Sequence, residues 1–164
     1  MPEKIKEIQP PSGLARLAFR APLWLYRWGL GWLLGSRFLQ LTHTGRKSGL
    51  PRQTVLEVVR HDKGDNTFYV VSGWGESSDW YRNVIENPQV SIRTGHQRFQ
   101  AYAERLSPDL AGDELVDYHR RHPRALSQLA GFMGYRLDGS EADVRALGEL
   151  LPVIAIRPQD TVST

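Results

Sequence analysis

The chain has 164 residues, of which 40% are apolar and 24% are charged, a composition typical of a single globular domain. It contains no cysteine, which excludes disulfides, thiolate nucleophiles and metal sites with cysteine ligands. The net charge is only +3, but no acidic residue lies between Glu7 and Glu57. The basic residues of that stretch are Arg16, Arg20, Arg27, Arg37, Arg46, Lys47 and Arg52. They favour an anionic partner, which could be a phosphate, an anionic membrane surface or a nucleic acid.

The N-terminal part of the chain divides into two predicted segments. Residues 1–12 are polar and contain the pair Pro10–Pro11, which predicts a flexible tail. Residues 13–36 are predicted to form an amphipathic leader helix region, with apolar residues on one face, arginines on the other and a break at Pro22. The region contains Trp24, Trp28 and Trp32 beside arginines, which is typical of a helix at a membrane interface. The same apolar face can equally cover the rest of the domain.

Two features of this N-terminal part bear on the location of the protein. It lacks the apolar core of a signal peptide, so a cytoplasmic location is expected. The leader helix region is too charged and too interrupted to span a bilayer. Peripheral contact with the inner face of the membrane is therefore the second expectation that the sequence leaves open.

Residues 37–158 are predicted to form one α+β domain. β-Branched and aromatic segments predict strands over 38–44, 52–60, 67–72, 89–93, 98–105 and 152–157. Capping residues and prolines predict helices from Ser77 or Ser78 to Glu86, from Ser107 to about Arg121, over 124–134 and from Ser140 onward. Sequential antiparallel strands with helices at the ends indicate a partly closed β-barrel.

The strongest motif is the loop between the first two of these strands, TGRKSGLPR over residues 44–52. Its glycines allow the backbone to turn tightly and present N–H groups, while its cations and hydroxyls can surround a phosphate or a carboxylate. The order of residues is not that of a P-loop. An ordinary basic hairpin loop is the alternative that the residues alone leave open. The candidate ligand residues are Thr44, Gly45, Arg46, Lys47, Ser48, Gly49, Pro51 and Arg52.

A second motif follows the third predicted strand and opens a helix, SGWGESSDWYRN over residues 72–83. Free backbone amides at the start of a helix can bind an anion or a carbonyl group. Trp74 and Trp80 are spaced so that they can flank a planar ring system. The alternative is that both pack in the core, which is the commoner location of tryptophan.

Four segments in order and spacing resemble the deazaflavin-dependent nitroreductase family: LTHTGRKSGLPR over residues 41–52, YVVSG over 69–73, DWYRN over 79–83 and NPQV over 87–90. The resemblance covers residues 40–157, and none of these segments would carry it alone. It implies a split β-barrel like that of flavin reductases and pyridoxine-phosphate oxidases. The implied fold is α+β and mainly antiparallel, with an N-terminal amphipathic helix and C-terminal helices.

The resemblance also implies a cofactor and a reaction. Members of the family typically use the deazaflavin F420, which transfers a hydride to a quinone, a nitro compound or another electron-poor acceptor such as an enone. The family's glycine-basic loop holds the cofactor phosphate and acidic tail, which implies such a role for Arg46, Lys47, Ser48 and Arg52. Its strand-end loop and following helix flank the ring and linker, which implies such a role for Ser72, Gly73, Trp80 and Asn83.

One loop departs from the family pattern. Many members carry a Gly-Gly-x-Pro-Lys-His-Pro type of sequence before the tryptophan, and here that stretch is GWGESSD, residues 73–79. The lysine is missing and Glu76 brings a negative charge; losing one charged hydrogen bond weakens binding by about 1.5–3 kcal/mol. FMN is therefore retained as an alternative ligand, and a non-enzymatic lipid- or fatty-acid-binding protein as an alternative function.

The remaining expectations concern proton transfer, metals and partners. Tyr135 is the candidate catalytic residue and Tyr118 the other choice, with packing of both as the alternative. No metal site is predicted, because His119 and His122 lack a third ligand. The expected partner is a small-molecule electron acceptor rather than a nucleic acid, since no nucleic-acid-binding signature is present. Split barrels often pair across their sheets, so a homodimer is left open.

Overall fold

The computed structural model describes residues 2–5 and 37–159, so the predicted leader helix region over 13–36 and most of the predicted tail lie outside the described residues. The strands are β1 (Glu3–Lys4), β2 (Phe38–Thr44), β3 (Pro51–Asp62), β4 (Thr67–Val71), β5 (Gln89–Thr94), β6 (Gln97–Arg105), β7 (Tyr135–Arg136) and β8 (Val153–Pro158). The helices are α1 (Asp79–Glu86), α2 (Pro108–Arg121), α3 (Pro123–Phe132) and α4 (Glu141–Leu150), and a 3-10 turn (Gly75–Ser77) precedes α1. In this part of the chain, no helix is both long enough and apolar enough to cross a bilayer.

Most of the strands form a closed antiparallel barrel in the order β2–β3–β4–β8–β6–β5, in which β5 returns to pair with β2. Successive side chains of a strand point to opposite faces, and β4 and β8 follow this period of two. Alternate residues are buried inside the barrel: Phe68, Val70, Ile154 and Ile156. The residues between them are buried on the outer face: Tyr69, Val153 and Ala155. The α+β barrel expected from the sequence is confirmed.

Helix α1 covers one end of the barrel. Its sequence, DWYRNVIE, is amphipathic, and Trp80, Tyr81 and Val84 are buried together with Leu39 and Leu41 of β2. Each large apolar side chain buried in this way stabilises the fold by roughly 1.5–3 kcal/mol. The apolar face of α1 therefore fixes the position of this helix on the barrel.

Helices α2, α3 and α4 form a layer over the outer faces of β3, β4 and β8. Leu115 of α2 and Leu147 of α4 are fully buried in this layer. The backbones of α2 and α4 approach closely where Gly112 meets Gly148. A Cβ on Gly148 would lie 2.5 Å from Gly112 N and 2.7 Å from its Cα, so this contact requires glycine.

Two of the predicted helix caps are confirmed and one is wrong. Ser107 Oγ accepts a hydrogen bond from Leu110 N (3.4 Å), and Ser140 Oγ accepts one from Asp143 N (3.1 Å). Ser78 occupies the N-cap position of α1 but makes no side-chain capping bond. Its hydroxyl is bonded to another side chain instead, as described below.

The predicted flexible tail is also partly wrong, because Glu3 and Lys4 form strand β1 and pair with β7. Ile5 N donates to Gly134 O at 2.7 Å, which extends the pairing by one residue. The two segments are more than 130 residues apart in sequence, as the contact of Arg136 with Glu3 shows. A two-residue strand has no periodicity of its own, so the sequence carries no signal for this pairing.

Replacing Gly148 with Ala is expected to destabilise the protein, because the added methyl group meets backbone atoms of α2. Such overpacking costs about 1–3 kcal/mol and outweighs the gain of up to about 1 kcal/mol of Ala over Gly in a helix. Gly131→Ala in α3 is the matched control and should stabilise, since nothing lies within 4 Å of its added Cβ. Urea unfolding of both variants tests this, and a gain in stability for Gly148→Ala would contradict the close helix contact.

Candidate functional site

The antiparallel barrel brings the two sequence motifs to the same end of the molecule. Strand β2 ends and β3 begins at the glycine-basic loop, residues 45–50. Because β4 runs antiparallel to β3, its last residue, Val71, points toward that same end. The strand-end turn, residues 72–78, then leads into α1 over this end of the barrel.

The glycine-basic loop is held in a tight turn by its own hydrogen bonds. Gly45 N donates to Leu50 O at 2.9 Å, and Gly49 N donates back to the Gly45 oxygen at 2.8 Å. Ser48 Oγ accepts a third bond, from Leu50 N at 3.2 Å. Gly49 has φ +69°, the left-handed conformation that favours glycine. The loop therefore presents Lys47 and Ser48 at an exposed tip.

Arg46 is turned away from this tip and onto α1. Its backbone N–H and its Nη1 both donate to Asn83 Oδ1, at 3.1 and 2.8 Å. Its Nη2 donates to Asp79 Oδ1 at 3.2 Å, and its side chain is only 17% exposed. Arg46 thus anchors the loop to α1, a role that differs from the direct phosphate contact implied by the family resemblance.

Two other cations of this region have no such partner. Lys47 and Arg52 are exposed, and within residues 2–5 and 37–159 no carboxylate lies within ion-pair distance of either. Arg52 pairs with His43 in the β2–β3 register, and its Nε is 3.7 Å from the position that a Cβ on Gly45 would occupy. Cations that lack a counter-ion attract an anion, so this surface is suited to a phosphate or a carboxylate.

His43 lies buried beside the loop and is neutral at pH 7. Burial, followed by the charge of Arg52, lowers its pKa to about 4, and Asp79 partly opposes this. Asn83 Nδ2 lies 3.0 Å from His43 Nδ1. Because an amide nitrogen can only donate, Nδ1 is the acceptor and the ring proton is assigned to Nε2.

His43 was not among the site residues predicted from the sequence. A signal for it exists in the period of two along β2, where Leu39 and Leu41 point into the barrel and His43 follows on the same face. A histidine at an inward position needs a hydrogen-bond partner when it is buried. Which residue would supply that partner cannot be read from the strand alone.

The strand-end turn is fixed by a buried pair of serines. Ser72 Oγ donates to Gly75 O at 2.6 Å and lies 2.9 Å from Ser78 Oγ. Ser72 N also donates to Pro152 O at 2.9 Å, which joins the turn to the residue before β8. Met133 packs against Gly73, since a Cβ added to this glycine would lie 3.4 Å from Met133 Cε. The turn is therefore fixed by hydrogen bonds and packed against Met133, and the Ser72 hydroxyl is occupied by bonds within the turn.

The two tryptophans of the second motif have different environments. Trp80 is only 8% exposed and packs in the barrel core, with Tyr81 edge-on at 6.4 Å between ring centroids. The prediction that Trp80 flanks a cofactor ring is therefore replaced by the packing alternative, since its indole holds α1 on the barrel. Trp74 is half-buried in the turn and stays a candidate for contact with a ring.

The carboxylate of Glu76, in the turn, is paired with a cation at the end of β6. Arg105 Nη1 lies 2.6 Å from Glu76 Oε1 and also donates to the Tyr81 hydroxyl at 2.7 Å. Arg82 Nε donates to the Glu76 carbonyl oxygen at 2.9 Å. The negative charge that departs from the family pattern is thus offset within the protein.

The two tyrosines considered for proton transfer lie in different places. Tyr118 packs in the outer core, and its hydroxyl contacts Glu57 at 3.5 Å, so the packing alternative holds for it. Burial and the nearby Glu57 raise its pKa. Tyr135 is half-buried in β7, shortly after the Met133 that backs the strand-end turn. Among the described residues, no group of three His, Asp or Glu side chains is arranged to hold a metal ion.

The low pKa of His43 predicts a loss of stability in acid. A histidine in the unfolded chain titrates near 6.5 and His43 in the fold near 4, so between these values only the unfolded state takes up the proton. Falling pH therefore favours unfolding, by about 3 kcal/mol over the window at about 1.4 kcal/mol per unit. Urea unfolding measured from pH 7 to pH 4 should show the free energy of unfolding of the wild type falling relative to that of His43→Asn. A difference between the two proteins that does not change with pH would contradict a buried neutral ring.

Comparison with known proteins identifies relatives of the chain. A family model described as F420H(2)-dependent quinone reductase matches residues 20–136. The F420H(2)-dependent quinone reductase Rv1261c of Mycobacterium tuberculosis is 39% identical over 72 residues, which are 43% of this chain and 47% of that protein. The chain thus spans about half the length of the curated relatives that it matches.

Two solved structures share the fold at low sequence identity. HutZ, a heme storage protein from Vibrio cholerae, has a TM-score of 0.53 at 16% identity and covers 84% of this chain and 92% of its own. Rv2991 from Mycobacterium tuberculosis has a TM-score of 0.52 at 16% identity, over 94% of this chain and 86% of its own. The family match includes the glycine-basic loop, the strand-end turn and α1. The chain belongs to the F420H(2)-dependent quinone reductase family, as the resemblance in its sequence indicated.

Proposed function

We propose that this chain is an F420-dependent oxidoreductase that transfers a hydride from the reduced deazaflavin to a quinone-, nitro- or enone-type acceptor. The observation that carries the proposal is a pair of exposed cations, Lys47 on the glycine-basic loop and Arg52 at the start of β3, beside a loop that α1 holds in place. Membership of the family supports the choice of cofactor. FMN and a lipid or fatty acid are the ligands that the test below has to exclude.

The glycine-basic loop fits the phosphate and acidic tail of F420. Lys47 and Arg52 would supply the charges, and the Ser48 hydroxyl lies at the same exposed tip. The other predicted residues act on the shape of the loop or lie at its ends: Thr44, Gly45, Gly49 and Pro51. Arg46 would hold the proposed phosphate site, formed by Lys47 and Arg52, in place through its bond to Asn83, and its charge still contributes to the positive field at the loop.

The departure at Glu76 does not stand against this proposal. The side chain of Glu76 is paired with Arg105, so the carboxylate presents less negative charge to an approaching phosphate. This pair is largely exposed, with 67% of the Glu76 side chain accessible, and contributes little to stability. A phosphate contact is lost with the missing lysine, but no uncompensated repulsion replaces it.

The strand-end turn is the proposed ring side of the site. When bound, reduced F420 supplies the hydride that the acceptor receives. The rigid turn around Ser72 and Gly73 would orient the ring, and half-buried Trp74 would contact it and exclude water. Asn83 and Trp80 act indirectly, since they hold the loop and the helix in place. Tyr135 is proposed to hydrogen-bond or protonate the acceptor.

Replacing both Lys47 and Arg52 with Ala is expected to weaken F420 binding at least about tenfold, since a charged hydrogen bond contributes about 1.5–3 kcal/mol and 1.4 kcal/mol is tenfold. Lys63→Ala is the matched control, because this lysine lies in the exposed turn between β3 and β4. Fluorescence titration measures the affinity, with circular dichroism to confirm folding. Equal affinity of the double variant and the control would rule out the loop as the phosphate seat.

Oxidation of reduced F420 should require the protein and an acceptor, with a naphthoquinone, an aromatic nitro compound and an enone tested in parallel. Tyr135→Phe is expected to lower kcat at least about tenfold with unchanged F420 affinity, because general acid catalysis contributes about a hundredfold or more. Tyr118→Phe, in the outer core, is the control. Saturable binding of FMN or a fatty acid without binding of F420 would refute the proposed function.

A further inference from the structure

Both the oxygen and the nitrogen of the Asn83 side-chain amide form hydrogen bonds. Its oxygen accepts two bonds from Arg46, from the backbone N–H at 3.1 Å and from Nη1 at 2.8 Å. Its nitrogen donates to His43 Nδ1 at 3.0 Å. Asn83 and His43 are only 4% and 5% exposed, so water does not readily replace these bonds.

We infer that His43 is a positioning residue for the glycine-basic loop: by accepting a hydrogen bond at Nδ1, it fixes the Asn83 amide with its oxygen toward Arg46. The hold on the loop follows from these contacts alone. Its consequence for anion binding rests on the proposed function, in which Lys47 and Arg52 form the phosphate seat.

The orientation of the amide decides whether the loop is held. An amide has one accepting end and one donating end. If it turned over, its NH2 group would face the N–H groups of Arg46 and both bonds would be lost. A neutral His43 with its proton on Nε2 prevents this, because its Nδ1 can then only accept and needs a donor. A doubly protonated ring would offer only donors, so the Asn83 oxygen would turn toward it and release Arg46.

Charged groups face His43 from three neighbouring elements. Arg52 of β3 and Asp79 of α1 act on its charge, and Arg46 of the loop is linked to it through Asn83. The pairing of β2 with β5 ends one residue before His43, at Thr42 and Ser91. Simple electrostatics predicts that a protonated ring beside Arg52 would strengthen anion binding. Release of the loop predicts the opposite. The sign of the pH dependence therefore separates a positioning role from a purely electrostatic one.

The first arm of the test removes the acceptor at pH 7 in the full chain. His43→Leu should reduce the hydrogen-exchange protection of the Arg46 backbone amide at least about tenfold, and sulfate affinity by a similar factor. His43→Asn should rescue both, since its side-chain oxygen can occupy the place of Nδ1. His96→Asn, in the exposed turn between β5 and β6, is the control. Sulfate binding is followed by the amide resonances of residues 45–50.

The second arm varies the pH with sulfate as the probe anion, because its charge does not change over the range used. Wild-type affinity should fall about twofold from pH 7 to pH 4, where half of the His43 rings are protonated and cannot hold the loop. In His43→Asn this fall should be absent. Asp79→Asn should retain a fall that begins at lower pH, because the Asp79 charge no longer raises the pKa of His43.

Two results would overturn the inference. One is full protection of the Arg46 amide together with wild-type sulfate affinity in folded His43→Leu. The other is wild-type sulfate affinity that rises on acidification. Failure of the proposed function is recognised separately, because the Lys47 and Arg52 double variant is tested with F420 at pH 7 and with His43 intact.

Discussion

The burial of one face of α1 in the end of the barrel fixes the geometry of the candidate site. Trp80 and Val84 pack against the inward residues of β2, and this contact directs the intervening Asn83 toward His43 and the glycine-basic loop. The strand-end turn is fixed in turn, because it must connect β4 with the start of α1. Apolar packing of α1 and a buried hydrogen-bond network therefore position the loop together, and apart from Arg46 the residues involved lie outside the loop.

The basic residues of the loop region divide into a structural cation and available cations. Arg46 donates its hydrogen bonds to Asn83 and Asp79, and its side chain is mostly buried. Lys47 and Arg52 are exposed and have no carboxylate partner in residues 2–5 and 37–159. Preorganised charge is more effective than flexible charge, because the ligand does not have to order it on binding. Under the proposed function, the anchored loop would offer this advantage to a phosphate-bearing cofactor.

Much of the barrel could be predicted from local patterns in the sequence. Strand periodicity, turn glycines and the caps at Ser107 and Ser140 depend on neighbours within a few residues, and the structure confirms them. The orientation of Arg46 and the packing of Trp80 depend instead on which residues meet in space.

The predictions that failed share this dependence on distant contacts. Asn83 is 37 residues from Arg46 and 40 from His43 in sequence, and β1 meets β7 across almost the whole chain. Ser78 bonds Ser72 rather than the helix because the turn brings the two hydroxyls together. No local pattern encodes these choices, and the family resemblance pointed to segments of the chain without giving the part that each side chain plays.

The most direct test of this account is a crystal structure of the chain with F420 bound. We expect the cofactor phosphate within hydrogen-bond distance of Lys47 and Arg52, with Arg46 still bonded to Asn83 and the ring over the strand-end turn. A phosphate bound elsewhere on the barrel, or Arg46 released from Asn83 to contact it, would contradict the central claim.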